Sequence, residues 1–179
     1  MYSEIEAKLK VDSLDEVETK LKELGAEFIE ERFQSDCHYD DAEATLTNSD
    51  KCLRLRRQTA GEYTRYFLTF KGAKEQSNFK KRQEIEIEIA DADSTEKLLT
   101  ALGYDKTLSV EKKRRLWKLH GCEVALDNLQ LLGDFVEIEG PDDEIITEVQ
   151  KNLGLENISH IPKSYASLIV DMLRHQINE

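Results

Sequence analysis

The stretch RQEIEIEIA at residues 82–90 places Glu84, Glu86 and Glu88 on one side of an extended chain and Ile85, Ile87 and Ile89 on the other. Successive side chains of a strand point to opposite faces, whereas a helix would scatter this pattern around its axis. The same alternation recurs along the chain. SEIEAKL (3–9) opposes Glu4, Glu6 and Lys8 to Ile5, Ala7 and Leu9, and CLRLRRQ (52–58) opposes Arg54 and Arg56 to Leu53 and Leu55. YTRYFLTFKG (63–72) sets Arg65, Thr69 and Lys71 against Tyr66, Leu68 and Phe70, and DFVEIE (134–139) sets Glu137 and Glu139 against Val136 and Ile138. A chain built of such segments folds as an antiparallel sheet with one apolar face and one charged face.

Further strands are predicted near 27–40, at 108–119 (LSVEKKRRLWKL) and at 122–129 (CEVALDNL). The first strand ends near Val11, and Ser13 with Glu16 forms a capping box for a helix carrying Leu14, Val17, Leu21 and Leu24, stopped by Gly25. A second short helix, DSTEKLLTALG, is expected to be capped by Asp93 or Ser94, and resembles the first closely enough to suggest two strand–helix–strand halves. PDDEIITEVQKNLG and roughly Ser164 to Ile177 read as closing helices, and DDAEATLTNSDK reads as a polar loop. The charged faces are not the mixed Ser, Thr, Gln and Lys of an ordinary wet sheet, because basic residues collect on some strands and Glu on others. If the helices cover the outside of a curved sheet, the charges point inward, where they must pair, bind metal or receive an ionic ligand.

With 39% hydrophobic and 35% charged residues, the chain is a globular protein, read as a single domain over 1–179. A net charge of -12 argues against a nucleic-acid or anionic membrane partner, which would need a basic footprint. Cys37, Cys52 and Cys122 show no metal-knuckle spacing, so reduced thiols and a cytoplasmic setting are expected.

The ordered set EIEAK (4–8), LRLR (53–56), TFKG (69–72), RQEIEIEI (82–89), EKKRR (111–115), ALDNLQLLGDFVEIE (125–139) and KSY (163–165) resembles the CYTH superfamily. These are the triphosphate tunnel metalloenzymes, among them class IV adenylyl cyclases and thiamine triphosphatases, and the GDFVEIE and TFKGAK segments look most like the prokaryotic cyclase-like branch. The resemblance implies an α+β fold, an eight-stranded antiparallel barrel or tunnel with a charged lumen and helices outside. It implies that Glu4, Glu6 and Glu137, with Glu139 close by, hold Mg²⁺ or Mn²⁺, which favour hard carboxylate oxygens. Lys8, Arg54, Arg56, Lys71, Arg82, Lys112 and Arg114 look like the triphosphate grip, with Lys163 adding one more at the tunnel mouth. Within these sets Glu4, Glu6, Lys8 and Lys112 are the expected catalytic residues. Glu84, Glu86 and Asp127 would orient the cations or join the metal shell, while Glu86 and Glu88 equally suit ion pairs with neighbouring strands. Lys113 and Arg115, on the opposite face, are expected to be solvated, and Lys80 and Lys81 to decorate a strand start. His38, His120, His160 and His175 receive no role, and Tyr39 and Trp117 read as packing residues.

Two reactions fit such a lining. Water attacking the terminal phosphorus gives a triphosphatase; a ribose 3′-oxygen attacking the α-phosphorus of ATP gives a cyclase. Cyclases of this class carry a His-Phe pair shortly before ExExK, and here only Met1, Tyr2 and Ser3 precede Glu4, which directs the expectation to hydrolysis of an inorganic or organic triphosphate. The cyclase reaction is the alternative, and non-catalytic binding of polyphosphate or nucleotide a second one. The partner is then a triphosphate-bearing small molecule, bound by a monomer or homodimer.

Overall fold

The computed structural model describes residues 2–75 and 79–177, with side chains at 5–75 and 79–176. The strands are β1 (Tyr2–Lys10), β2 (Glu27–Asp40), β3 (Cys52–Ala60), β4 (Tyr63–Lys71), β5 (Lys80–Ile89), β6 (Asp105–Leu119), β7 (Cys122–Leu129) and β8 (Gly133–Glu139). The helices are α1 (Leu14–Glu23), α2 (Thr45–Asn48), α3 (Ala92–Ala101), α4 (Asp143–Asn152) and α5 (Tyr165–Ile177). The strands close into one antiparallel barrel in the order β1-β5-β4-β3-β2-β6-β7-β8. No helix among the described residues is long and apolar enough to cross a membrane.

The chain divides into two compact units, Met1–Glu4 with Arg32–Glu111, and Ile5–Glu31 with Lys112–Glu179. In the second unit α1 and α4 lie on the apolar face of β7 and β8. Leu9, Leu21, Val124, Val136, Ile138, Ile146 and Val149 are fully buried there, each aliphatic side chain contributing about 2 kcal/mol of transfer free energy. Ser13 caps α1 by accepting from the Glu16 N–H, as expected, and Gly25 follows the helix with a positive φ of 73°. Arg115 is not simply solvated: it reaches α1, pairing with Glu18 and, at 3.5 Å, with Asp15. Trp117 is buried with its ring edge-on to Phe28 at 5.0 Å, a packing role as read from the sequence.

In the first unit the apolar face of β2, β3, β4 and β5 packs under α3. Tyr39, Leu55 and Leu99 form its centre, with Leu53, Leu68, Ile89 and Tyr104 around them. The cover is partial, leaving Ile85 at 51% and Ile87 at 53% exposure. Two local expectations also change. Helix α3 is capped by Asp91 rather than Asp93 or Ser94, because extended Asp91 accepts from the Asp93 N–H at 3.0 Å and from the Ser94 hydroxyl. The polar loop contains α2, held where Asp40 accepts the N–H groups of Leu46 and Thr47 at 2.9 and 2.8 Å. Those bonds hold the buried Asp40 carboxyl below its ordinary range despite the opposing effect of burial.

Candidate functional site

Each unit gathers charge on the strand face away from its helices. In the first unit the register aligns Asp36 with Arg56 and His38 with Arg54 across β2 and β3, then Arg54 with Thr69, Cys52 with Lys71, Thr69 with Glu86 and Lys71 with Glu84. Asp36 accepts both arms of Arg56, at 2.6 and 2.7 Å, and lies 3.5 Å from Arg54. Arg54 donates to Thr69 at 3.0 Å and Glu86 at 3.3 Å, and Lys71 pairs with Glu84 at 2.8 Å. Glu84 and Glu86 therefore orient cations in this structure, and Glu88 makes a two-pronged pair with Arg65. Arg82 is 4% exposed and meets Asp50 at 3.6 Å, while Lys81 pairs with Glu75 at 3.4 Å. The Nε atoms of Arg54 and Arg82 are buried with no acceptor among the described residues. A buried donor left in this way is costly unless a ligand oxygen meets it.

Two members of this cluster escape a reading limited to Arg, Lys and Glu. Asp36 and His38 alternate with Gln34 and Asp40 on the charged face of QSDCHYD, so the period-two signal was present. Burial lowers the His38 pKa to about 4; Asp36 pulls it upward, and Arg54, Arg56 and Lys71 add to the lowering. Tyr39, on the opposite face, packs in the core and donates its hydroxyl to Glu96 at 3.0 Å, as its packing assignment requires.

The second unit centres on Asp127, which is 0% exposed. It accepts from Arg114 through both arms at 2.6 Å, from Lys112 at 3.1 Å and from the Tyr165 hydroxyl at 2.9 Å. Burial works to raise its pKa, but Arg114 and Lys112 outweigh it and hold the carboxyl below its ordinary range. Arg114 also pairs with Glu137, which meets Lys8 at 3.2 Å; Lys8 in turn lies 3.8 Å from Glu6. The Tyr165 ring at the start of α5 sits under the ammonium groups of Lys8 and Lys112, 4.1 and 4.9 Å from its centre. Burial and the nearby Asp127 and Glu137 carboxylates raise its hydroxyl pKa well above the ordinary value. Tyr165 ends the KSY segment (163–165), but only the path of the chain after α4 brings its ring to these groups. Lys163 joins this group only through its carbonyl, which accepts from Lys8 at 3.1 Å, while its ammonium is 58% exposed and pairs with Asp171.

The carboxylates of this unit suit a hard divalent cation by donor type. Glu6 stands opposite Glu139 in the β1–β8 register, and Glu137 stands opposite Lys8. Like charges directly across strands are destabilising unless a cation lies between them. Among the described residues no three acidic, His or Cys side chains already converge on one point, consistent with Glu137 being engaged by Lys8 and Arg114. The side chain of Glu4 lies outside the described residues. Glu6, Glu137 and Glu139 fit Mg²⁺ or Mn²⁺ chemically, provided that a metal displaces the lysine and arginine partners of Glu137.

Comparison with known proteins places the chain among relatives of the same fold. The chain is 31% identical over 174 residues to the protein named "Putative adenylate cyclase MJ0240" of Methanocaldococcus jannaschii, covering 92% of this chain and 97% of that one. It is 26% identical over 175 residues to "Adenylate cyclase CyaB" of Aeromonas hydrophila, covering 92% and 87%. The solved structure of the PH1819 protein from Pyrococcus horikoshii superposes with a TM-score of 0.84 at 29% identity, over 96% of this chain and 99% of that one. The CYTH domain profile matches residues 3–165, and the chain belongs to the CYTH family.

Proposed function

We propose that this protein is a divalent-metal-dependent triphosphatase that hydrolyses an inorganic or organic triphosphate. The observation that carries the reading is the buried cationic face of the first unit. Arg54 and Arg82 keep buried Nε–H donors with no acceptor among the described residues, in a chain whose net charge is -12. A flexible chain of phosphate oxygens satisfies several such donors at once, with two-pronged contacts from Arg and point charges from Lys. In this reading Arg54, Arg56, Lys71 and Arg82, and in the other unit Lys8, Lys112 and Arg114, bind phosphate oxygens. Asp36, Glu84, Glu86 and Asp127 hold those cations in position until the ligand arrives.

Glu4, Glu6, Glu137 and Glu139 would hold Mg²⁺ or Mn²⁺. The bound metal would neutralise charge on the phosphates and lower the pKa of an attacking water. The protein's own part is to fix the phosphate chain, through cations whose orientation is already set, and to hold Glu137 beside Lys8 and Arg114.

The names of the Methanocaldococcus and Aeromonas relatives favour a second reading, adenylyl cyclase chemistry on ATP with release of pyrophosphate. Phosphorus NMR of the purified protein with Mg²⁺ or Mn²⁺ separates the two readings, using tripolyphosphate, thiamine triphosphate and ATP as substrates. Phosphate release, lost in Glu6→Gln and Glu137→Gln, is the expected result. Cyclic AMP and pyrophosphate from ATP without phosphate release would replace the first reading by the second. Tight binding with no turnover of any substrate would make the chain a binding module.

A further inference from the structure

We propose that His38 is an additional contact to the phosphate chain, a ring N–H donor set among the cations of the first unit, with Cys52 fixing which ring nitrogen does the donating. The inference rests on the triphosphate reading above. His38 lies on the charged face of β2, opposite Arg54, in a row that continues through Thr69 on β4 to Glu86 on β5. Its Nδ1 meets the Cys52 Sγ at 3.3 Å, and Cys52 stands opposite Lys71. The charged groups bearing on the ring are Asp36 on β2, Arg54 and Arg56 on β3, and Lys71 on β4, and Thr107 on β6 donates to its carbonyl at 3.1 Å.

Burial raises the Cys52 pKa, so the sulfur stays protonated near neutral pH. A thiol S–H donating to Nδ1 leaves the proton of a neutral imidazole on Nε2, the nitrogen away from Cys52. Among three cations an imidazolium is unfavourable, but a neutral N–H donor adds a hydrogen bond without adding to their repulsion. When a polyanion arrives, the same ring gains an adjacent negative charge and becomes easier to protonate. His38 therefore supplies a contact whose charge follows the ligand, and binding on the acidic side of neutrality takes up a proton there.

The probe is inorganic tripolyphosphate with a chelator present, so that binding is read without turnover. Ring-proton NMR of the intact protein, with the His38 signal identified by its loss in His38→Gln, is followed against pH with and without tripolyphosphate. The titration midpoint of His38 should move upward by about one unit or more on binding. His38→Gln should bind tripolyphosphate roughly tenfold more weakly at pH 6, the size of one hydrogen bond to a charged group. In Cys52→Ala the ring-nitrogen shifts should move toward a mixture of tautomers. If wild type binds tripolyphosphate while the His38 signal stays put and His38→Gln binds equally well, this inference fails and the triphosphatase reading stands. If wild type does not bind tripolyphosphate, both fail together. The wild-type titration alone decides the matter should the variant not fold.

Discussion

Asp127→Asn is the sharpest test of how the second unit is held together. The carboxylate is fully buried and receives Lys112, both arms of Arg114 and the Tyr165 hydroxyl. Asparagine keeps the shape but loses the charge, and turns an NH₂ group toward donors. Arg114 retains Glu137, whereas the 3.1 Å pair of Lys112 with Asp127 is broken. Breaking a buried pair from one side costs about 3–5 kcal/mol. For a chain of this length each kcal/mol lowers the melting temperature by roughly 2–4 °C, so the expected fall is roughly 6–20 °C. The pH dependence carries a sign. Asp127 is depressed in the folded state, so its contribution is complete above the ordinary carboxylate pKa of about 3.9 and is lost as pH falls through the lower folded value. The gap between wild type and variant should thus be constant from pH 7 to about 5 and narrow only below about 4. Calorimetric melts across this range, with Lys112→Met added to complete a double-mutant cycle, measure it. Adding Lys112→Met should recover part of the loss. A shift under about 2 °C at pH 7, or a gap unchanged at pH 3, would refute the assignment of Asp127 as an ionised organiser.

Other expectations follow from single contacts. Gly140→Ala should destabilise by about 1–3 kcal/mol in denaturant melts, because an added Cβ would lie 2.7 Å from the Cys122 sulfur and 2.9 Å from Ile146. Ser13→Ala removes the α1 cap and should cost about 1 kcal/mol by the same measurement. At pH 8 a thiol reagent should modify half-buried Cys37 and Cys52 well before Cys122, which is 1% exposed with its pKa pushed up to about 11; mass spectrometry of timed samples reads the order.

The strands were legible because alternation is a local property: the expected 27–40 segment coincides with β2, and the expected 122–129 segment with β7. The faces were legible for the same reason, which is why Arg54, Arg56, Lys71, Glu84 and Glu86 were singled out together. What alternation cannot give is register. That Asp36 pairs with Arg56, and that Asp127 rather than a glutamate is the hub for Lys112 and Arg114, depends on which residues of different strands end up opposite each other. An isolated histidine such as His38 carries no pattern of its own, although the residues two before and two after it share its face. Asp91 outcompeted Asp93 and Ser94 as a cap because the cap is set by the last extended residue, which a helix-forming sequence extending in both directions does not mark. Ile85 and Ile87 belong to a clear apolar face, but how far α3 would spread over it depended on the length of a ten-residue helix.

The pairing of β1 with β8 also has a consequence for synthesis. Glu6 and Lys8 acquire their cross-strand neighbours Glu139 and Glu137 only when a segment some 130 positions later has been made. At about 5–20 residues per second the ribosome needs roughly 6 to 26 seconds to reach it. During that interval the opening segment lacks β8, although its other neighbour in the barrel, β5, is made about fifty residues earlier. The carboxylates of this segment are thus brought into confinement late, when Lys8 and Arg114 can meet Glu137 at once.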